Sequence, residues 1–123
     1  MKQLTDHHDG HGLNESIRII ADDEMNSVCH AYNGKIATND GKEHDVLGIV
    51  FQRGPRNIEG STPGVTEMAV LAVVIDRLRG HQAGQYATRE NAVALTKCEE
   101  ALMWMRQRAD NRAKRGVLGT NQK

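Results

Sequence analysis

Apolar and polar positions change their period once along this chain of 123 residues. Up to about residue 60 they alternate in twos, the spacing of a half-buried strand. SIRIIADD alternates from Ile17. SVCHAY runs into Asn33-Gly34 and KIAT continues beyond it, which predicts a hairpin over Ser27–Thr38 with its turn at Asn-Gly. DVLGIVFQ is the most apolar run and is expected to be the most buried strand. Gly54, Pro55 and Gly60, then Thr62-Pro63-Gly64, end the β-rich part. From Thr66 the period lengthens: Met68, Leu71, Ile75 and Leu78 recur at three and four, and so do Leu95, Cys98, Leu102 and Met105 after Thr88. These matching seams predict two helices with Thr66 and Thr88 as N-caps and Gly80 and Gly116 as C-terminal stops. The short connection from Gly80 to Ala87 requires an antiparallel hairpin.

The expected fold is therefore α+β: a small N-terminal antiparallel β region followed by a long antiparallel helical hairpin. Residues 16–123 are expected to form a single domain, with the β-rich part at 16–60 and the hairpin at 65–116. A second helix over Thr88–Arg115 would be ~40 Å long, about twice the first. Its unmatched end must project or dock on another subunit, which points to a homo-oligomer. Residues 1–15 are polar, and His7, His8 and His11 lack apolar neighbours to fix a metal site, so a mobile tail is expected there.

Charge changes this picture only locally. Sixteen cations balance sixteen carboxylates, so no global field draws in nucleic acid. Yet residues 1–60 carry 6 basic and 10 acidic side chains, net −4, and residues 61–123 carry 10 and 6, net +4. Anion-binding capacity thus lies mainly in the second half. Phe51, Trp104, Tyr32 and Tyr86 are too few for a typical single-strand platform. Cys29 and Cys98 have neither metal nor disulfide-framework spacing and read as reduced residues of a cytosolic protein. No apolar run approaches the ~20 residues of a membrane span, and nothing at the N-terminus suggests export.

Three segments offer chemistry. Arg53-Gly54-Pro55-Arg56-Asn57 holds two cations on a stiffened loop; Pro55 restricts the backbone and preorganises Arg56, whose fork suits a phosphate. The bland alternative is a solvated loop with a salt bridge to Glu59. The basic end of the second helix carries Arg106, Arg108, Arg112, Lys114 and Arg115, which either bind an anion or merely complement the helix dipole. GHQAGQYATRENA offers His81 and Tyr86 as ring surfaces, Gln82 as an amide, anion-attracting N–H groups at Thr88–Asn91, and Asn91 to read a base edge, unless Asn91 only completes the Thr88 cap. Together these supply guanidinium groups for phosphates, a ring for a base and an amide to read it. No Walker loop, H-E-x-x-H or G-x-S-x-G is present. Glu90 and His81 make a conceivable acid–base pair, but with no nucleophile beside them binding without turnover fits better.

FQRGPRNIEGSTPGVTEMAVLAVVIDRL, HQAGQYATRENAVALTKCEEALMWMRQR and NRAKRGVLGT resemble the phage Thoeris anti-defence protein family, which shares its helical hairpin domain with phage anti-CBASS sponges. The resemblance covers about Val46–Thr120. It implies a protein of the host bacterial cytoplasm that sequesters cyclic nucleotide immune signals without cleaving them: cyclic ADP-ribose isomers for the Thoeris branch, cyclic di- or trinucleotides at separate sites in some relatives. It implies pockets between subunits of a homo-oligomer, a dimer at least and a hexamer in some members, and no cofactor. By position, Arg56 in G-P-R-N matches the phosphate-reaching arginine and Asn91 in R-E-N-A the asparagine near adenine. Arg108 and Arg112 match two arginines that close over the ligand from a partner chain. His81 stands where the family usually stacks a phenylalanine, and Tyr86 where phenylalanine is common. Three other classes stay open: a nucleic-acid binder using the basic helix end, an enzyme degrading the signal, and a purely structural oligomer whose hairpin only assembles subunits.

Overall fold

A computed structural model describes residues 1–25, 27–55, 59–118 and Thr120. The chain divides into two compact units, Met1–Arg53 and Gly54–Lys123.

The first unit is a four-stranded antiparallel sheet of β1 (Lys2–Leu4), β2 (Ile17–Met25), β3 (Val28–Ala37) and β4 (Glu43–Val50), in that spatial order. Two features depart from the sequence expectation. Asn33-Gly34 is not a turn: β3 runs straight through it, with Asn33 opposite Ile20 on one side and Gly48 on the other. The reason is steric. A Cβ on Gly34 would lie 2.8 Å from Leu47 Cβ, so glycine serves here to let β4 approach, a common use of glycine inside a strand. The register then steps from Gly34–Leu47 to Lys35–Asp45, leaving Val46 as the extra residue of a bulge. The true reversal is Thr38–Lys42, where Gly41 sits at φ +80°. There Thr38 N–H donates to Lys42 O (2.9 Å), while Asp40 accepts from Thr38 Oγ1 and Lys42 N–H, bonds that lower its pKa. Asp40-Gly41 was the turn signal to read.

The second departure concerns β4. Expected as the most buried strand, it is an edge strand that alternates, with Leu47 and Ile49 half-buried and Val46 and Val50 each 51% exposed in the single chain. At the opposite edge, Lys2–Leu4, placed in a tail by composition, pairs as β1 with Ile19–Ala21. Backbone pairing needs no apolar side chains, which is why composition was silent. The loop that follows is closed by one carboxylate: Glu15 accepts from the N–H groups of Gly10 (2.6 Å), Gly12 and Asp9 (both 3.4 Å). Tyr32 and Phe51 meet edge to face at 5.6 Å, and Ala21 and Cys29 are buried.

The second unit contains α1 (Glu67–Gln82) and α2 (Arg89–Lys114). Both threonine caps form: Thr66 Oγ1 accepts from Ala69 N–H and Thr88 Oγ1 from Asn91 N–H (3.0 Å). Every residue of the two expected seams is half-buried or buried, and Ile75 is 2% exposed. Gly80 does not stop α1, which continues to Gln82 and caps at Ala83. Gly116 does end α2. At φ +72° it directs Gly116 N–H to Ala113 O and Val117 N–H to Arg112 O, the paired bonds of a Schellman motif, with Val117 buried beside them. The 26 residues of α2 against 16 in α1 leave an overhang of ~15 Å at 1.5 Å per residue. No helix among the described residues is long and apolar enough to cross a membrane.

Candidate functional site

The connection between α1 and α2 is built by its own side chains. Gln82 clasps Thr88 with both ends of its amide, donating to Thr88 O and accepting Thr88 N–H, each at 3.1 Å. This clasp fixes where α2 begins. It also fixes the orientation of the Gln82 amide, which keeps one N–H and one lone pair beyond these two bonds. Within the same connection His81 and Tyr86 bring their rings to 6.2 Å at a tilt of 53°. Tyr86 is 65% exposed, so the ring pair presents a face to solvent. With Thr88 N–H and Asn91 N–H both satisfied, the N–H groups of Arg89 and Glu90 remain, among the described residues, at the positive end of the dipole. The Asn91 side chain is half-buried one turn in, and among the described residues its amide has no hydrogen-bond partner. A ring pair, an uncommitted amide and a positive helix end therefore lie together.

The arginines lie elsewhere. Trp104, Gln107, Arg108, Asn111, Arg112 and Arg115 line a shallow depression of about 290 Å³ on the last turns of α2. Gln107 Nε2 donates to Asn111 Oδ1 (3.1 Å). Arg108 is exposed. Arg112 is 7% exposed, and its Nη2 donates to Val117 O (3.1 Å) and Thr120 O (2.9 Å), pinning the segment beyond the helix. Along an uninterrupted helix, Asn91 and Arg108 stand about 25 Å apart, and Asn91 and Arg112 over 30 Å. The structure thus assembles His81, Tyr86 and Asn91 in one group and Arg108 and Arg112 in another.

Arg56 lies outside the described residues. Of its loop, Pro55 is buried and Gly54 sits at φ +80°, where a Cβ would fall 2.4 Å from Ser61 Oγ. The loop's other cation, Arg53, is ion-paired with Asp23 and also reaches Asp23 O. The alternative reading, a salt bridge from this loop to Glu59, falls on Arg56 and so also lies outside the described residues. Trp104, Gln107 and Asn111 were not singled out from sequence, although Trp104, Arg108, Asn111 and Arg115 recur at the four, three and four spacing of one helix face. Among the described residues no three His, Cys, Asp or Glu side chains are grouped to hold a metal.

The family described as the Acb2/Tad1 hairpin domain matches residues 43–110, more than half of the chain. The chain belongs to that family. A curated relative, Thoeris anti-defense 1 of Bacillus phage SBSphiJ7, is 41% identical over 92 residues, 75% of this chain and 57% of the relative. The chain thus matches little more than half the relative's length. Both residue groups fall within the second unit, and the family match, ending at Asp110, takes in His81, Asn91 and Arg108 but stops before Arg112.

Proposed function

We propose that this protein is an anti-defence sponge that binds and sequesters a cyclic nucleotide immune signal, a cyclic ADP-ribose isomer, without cleaving it. The observation that carries this reading is the corner leading into α2, where the His81–Tyr86 ring pair precedes a helix start whose first turn holds the uncommitted amide of Asn91. A purine can stack on the rings and be read by the amide while its phosphates meet the helix end. Membership of the hairpin family and the anti-defence name of the phage relative support it.

The ~25 Å between Asn91 and Arg108 on one helix exceeds the reach of a single nucleotide. A complete site therefore needs two protomers, the corner of one facing the arginine end of another. A two-fold dimer forms two such sites at once, because each subunit gives both halves. In this reading Arg56 reaches phosphate, Arg108 closes from the partner, and Arg112 holds the segment beyond α2 in place or joins Arg108 on the ligand. No residue acts on a bond of the ligand.

The test is a release assay. Purified protein is mixed with a cyclic ADP-ribose isomer, or separately with cyclic di- and trinucleotides; free ligand is filtered away, the protein is heat-denatured, and the released material is identified by mass spectrometry. Stoichiometric intact ligand is expected. Cleaved product identifies an enzyme, and no retained ligand refutes the proposal. Asn91→Ala and Arg108→Ala should each abolish retention, and co-expression of the two variants should restore part of it through hybrid sites.

A further inference from the structure

Trp104 is 69% exposed on the solvent side of α2, and it is the chain's single tryptophan. Its surroundings make that exposure unusual. At 3.6 residues per turn, Lys97, Glu100, Trp104, Arg108, Asn111 and Arg115 share one face. Lys97 and Glu100 pair with each other at 3.7 Å, Asn111 is held by Gln107, and among the described residues Arg108 and Arg115 form no ion pair. Between Lys97 and Arg115, then, one large ring sits in an otherwise polar face, directly before two uncommitted guanidinium groups, at the mouth of the depression these residues line. A face meant to pack on another helix would group apolar residues around the tryptophan. Toward the depression its neighbours are instead amides and guanidinium groups, Gln107, Arg108, Asn111 and Arg115, and the acid behind it, Glu100, is paired with Lys97; such a side suits a flat, negatively charged ligand.

We infer that Trp104 is a ligand-contacting residue of the arginine-bearing half of the site: its indole stacks on the purine ring while Arg108 and Arg115 receive the phosphates. This rests on the nucleotide-binding reading above and extends it with a second stacking surface. The corner of one protomer supplies the His81–Tyr86 rings and the partner supplies Trp104, so the base is held between aromatic faces from two chains. Discrimination then depends on the ligand presenting a planar base and a diphosphate at one fixed separation. Ribose phosphates without a base should bind poorly.

The single tryptophan makes the test direct. Equilibrium dialysis with a cyclic ADP-ribose isomer establishes whether the wild-type protein holds the ligand, and tryptophan emission is then followed over the same titration. Emission should change in step with saturation. Trp104→Leu keeps an apolar side chain without a ring and should weaken binding ~10-fold or more, whereas Trp104→Phe should stay within a few-fold of wild type, as the usual contribution of base stacking implies. Size-exclusion profiles of both variants should match the wild type. Ligand held in dialysis with flat emission, and unchanged affinity in Trp104→Leu, overturns the inference while leaving the binding reading intact. An indole already shielded from acrylamide before ligand is added, with an altered oligomer in Trp104→Leu, overturns it in favour of a subunit contact. No ligand held by the wild type removes the binding reading itself, and this inference with it.

Discussion

Arg112→Ala separates what this arginine does inside its own chain from what it does for a ligand. In the structure the guanidinium is almost wholly buried and donates to Val117 O and Thr120 O. Hydrogen bonds from a charged donor each contribute ~1.5–3 kcal/mol. Two at the lower end give about 3 kcal/mol. Thr120 is exposed, so its freed carbonyl can regain water, and Val117 O keeps its bond from Thr120 Oγ1 (2.6 Å), so about 2 kcal/mol is expected to remain. That loss falls on local opening of the turn rather than on α2, since arginine and alanine differ little in helix propensity. Because each 1.4 kcal/mol is a factor of ten, the Val117 amide, bonded to Arg112 O at 3.0 Å, should lose roughly 30-fold of its hydrogen-exchange protection. Amides in the middle of α2 should be unaffected. Exchange measured residue by residue by NMR on wild type and variant reads this directly. Val117 protection unchanged within twofold would refute the idea that the guanidinium holds the C-terminal segment. If ligand is then lost with protection intact, Arg112 acts on the ligand from a partner chain.

The other predictions concern the sheet, a loop and the ring pair. Gly34→Ala forces a Cβ against Leu47 and should destabilise the first unit by ~1–3 kcal/mol in urea unfolding, whereas Gly48→Ala, with nothing within 4 Å of its new Cβ, should be near neutral; equal effects would refute the close-approach account. Glu15 gives a pH prediction. Desolvation pushes its carboxyl up, but a side-chain bond with Asp9 and the N–H groups of Gly10, Gly12 and Asp9 together outweigh this and bring it from 4.5 to about 2. A depressed acid stabilises when ionised, so its contribution is complete above pH 4.5 and is lost as pH falls through about 2. The Gly10 and Gly12 amide resonances should titrate with a midpoint near 2; a midpoint near 4.5 would show that the carboxylate does not hold the loop. His81→Phe should leave ligand affinity intact or tighten it, since phenyl offers the larger stacking face. A clear loss in calorimetry would mean that His81 hydrogen-bonds to the ligand instead.

What the sequence determined by itself is the part of the protein governed by neighbours along the chain. The two helices follow from seams at three and four, their threonine caps from a side chain meeting an amide three residues on, and the end of α2 from Gly116 at a left-handed position. Even the separation of Asn91 from Arg108 was implicit, because an unbroken helix advances by a constant rise. The β-rich character of the first half was legible too, in the alternation of SIRIIADD and DVLGIVFQ.

Tertiary structure decided whatever depends on a partner remote in sequence. Asn33-Gly34 carries a strong local turn signal, yet the pairing of β3 with strands on both sides keeps it extended, and the same glycine serves to admit Leu47. Lys2–Leu4 has no strand signature and is a strand because β2 offers an unpaired edge. Sequence could nominate Gln82, His81, Tyr86 and Asn91 together. It could not say that the Gln82 amide would be oriented by two bonds to Thr88 while the Asn91 amide stayed uncommitted, nor that Arg112 would turn back on Val117 and Thr120. A side chain's chemical type is written in the chain, but which of its hydrogen bonds are already taken depends on geometry that only the folded backbone sets.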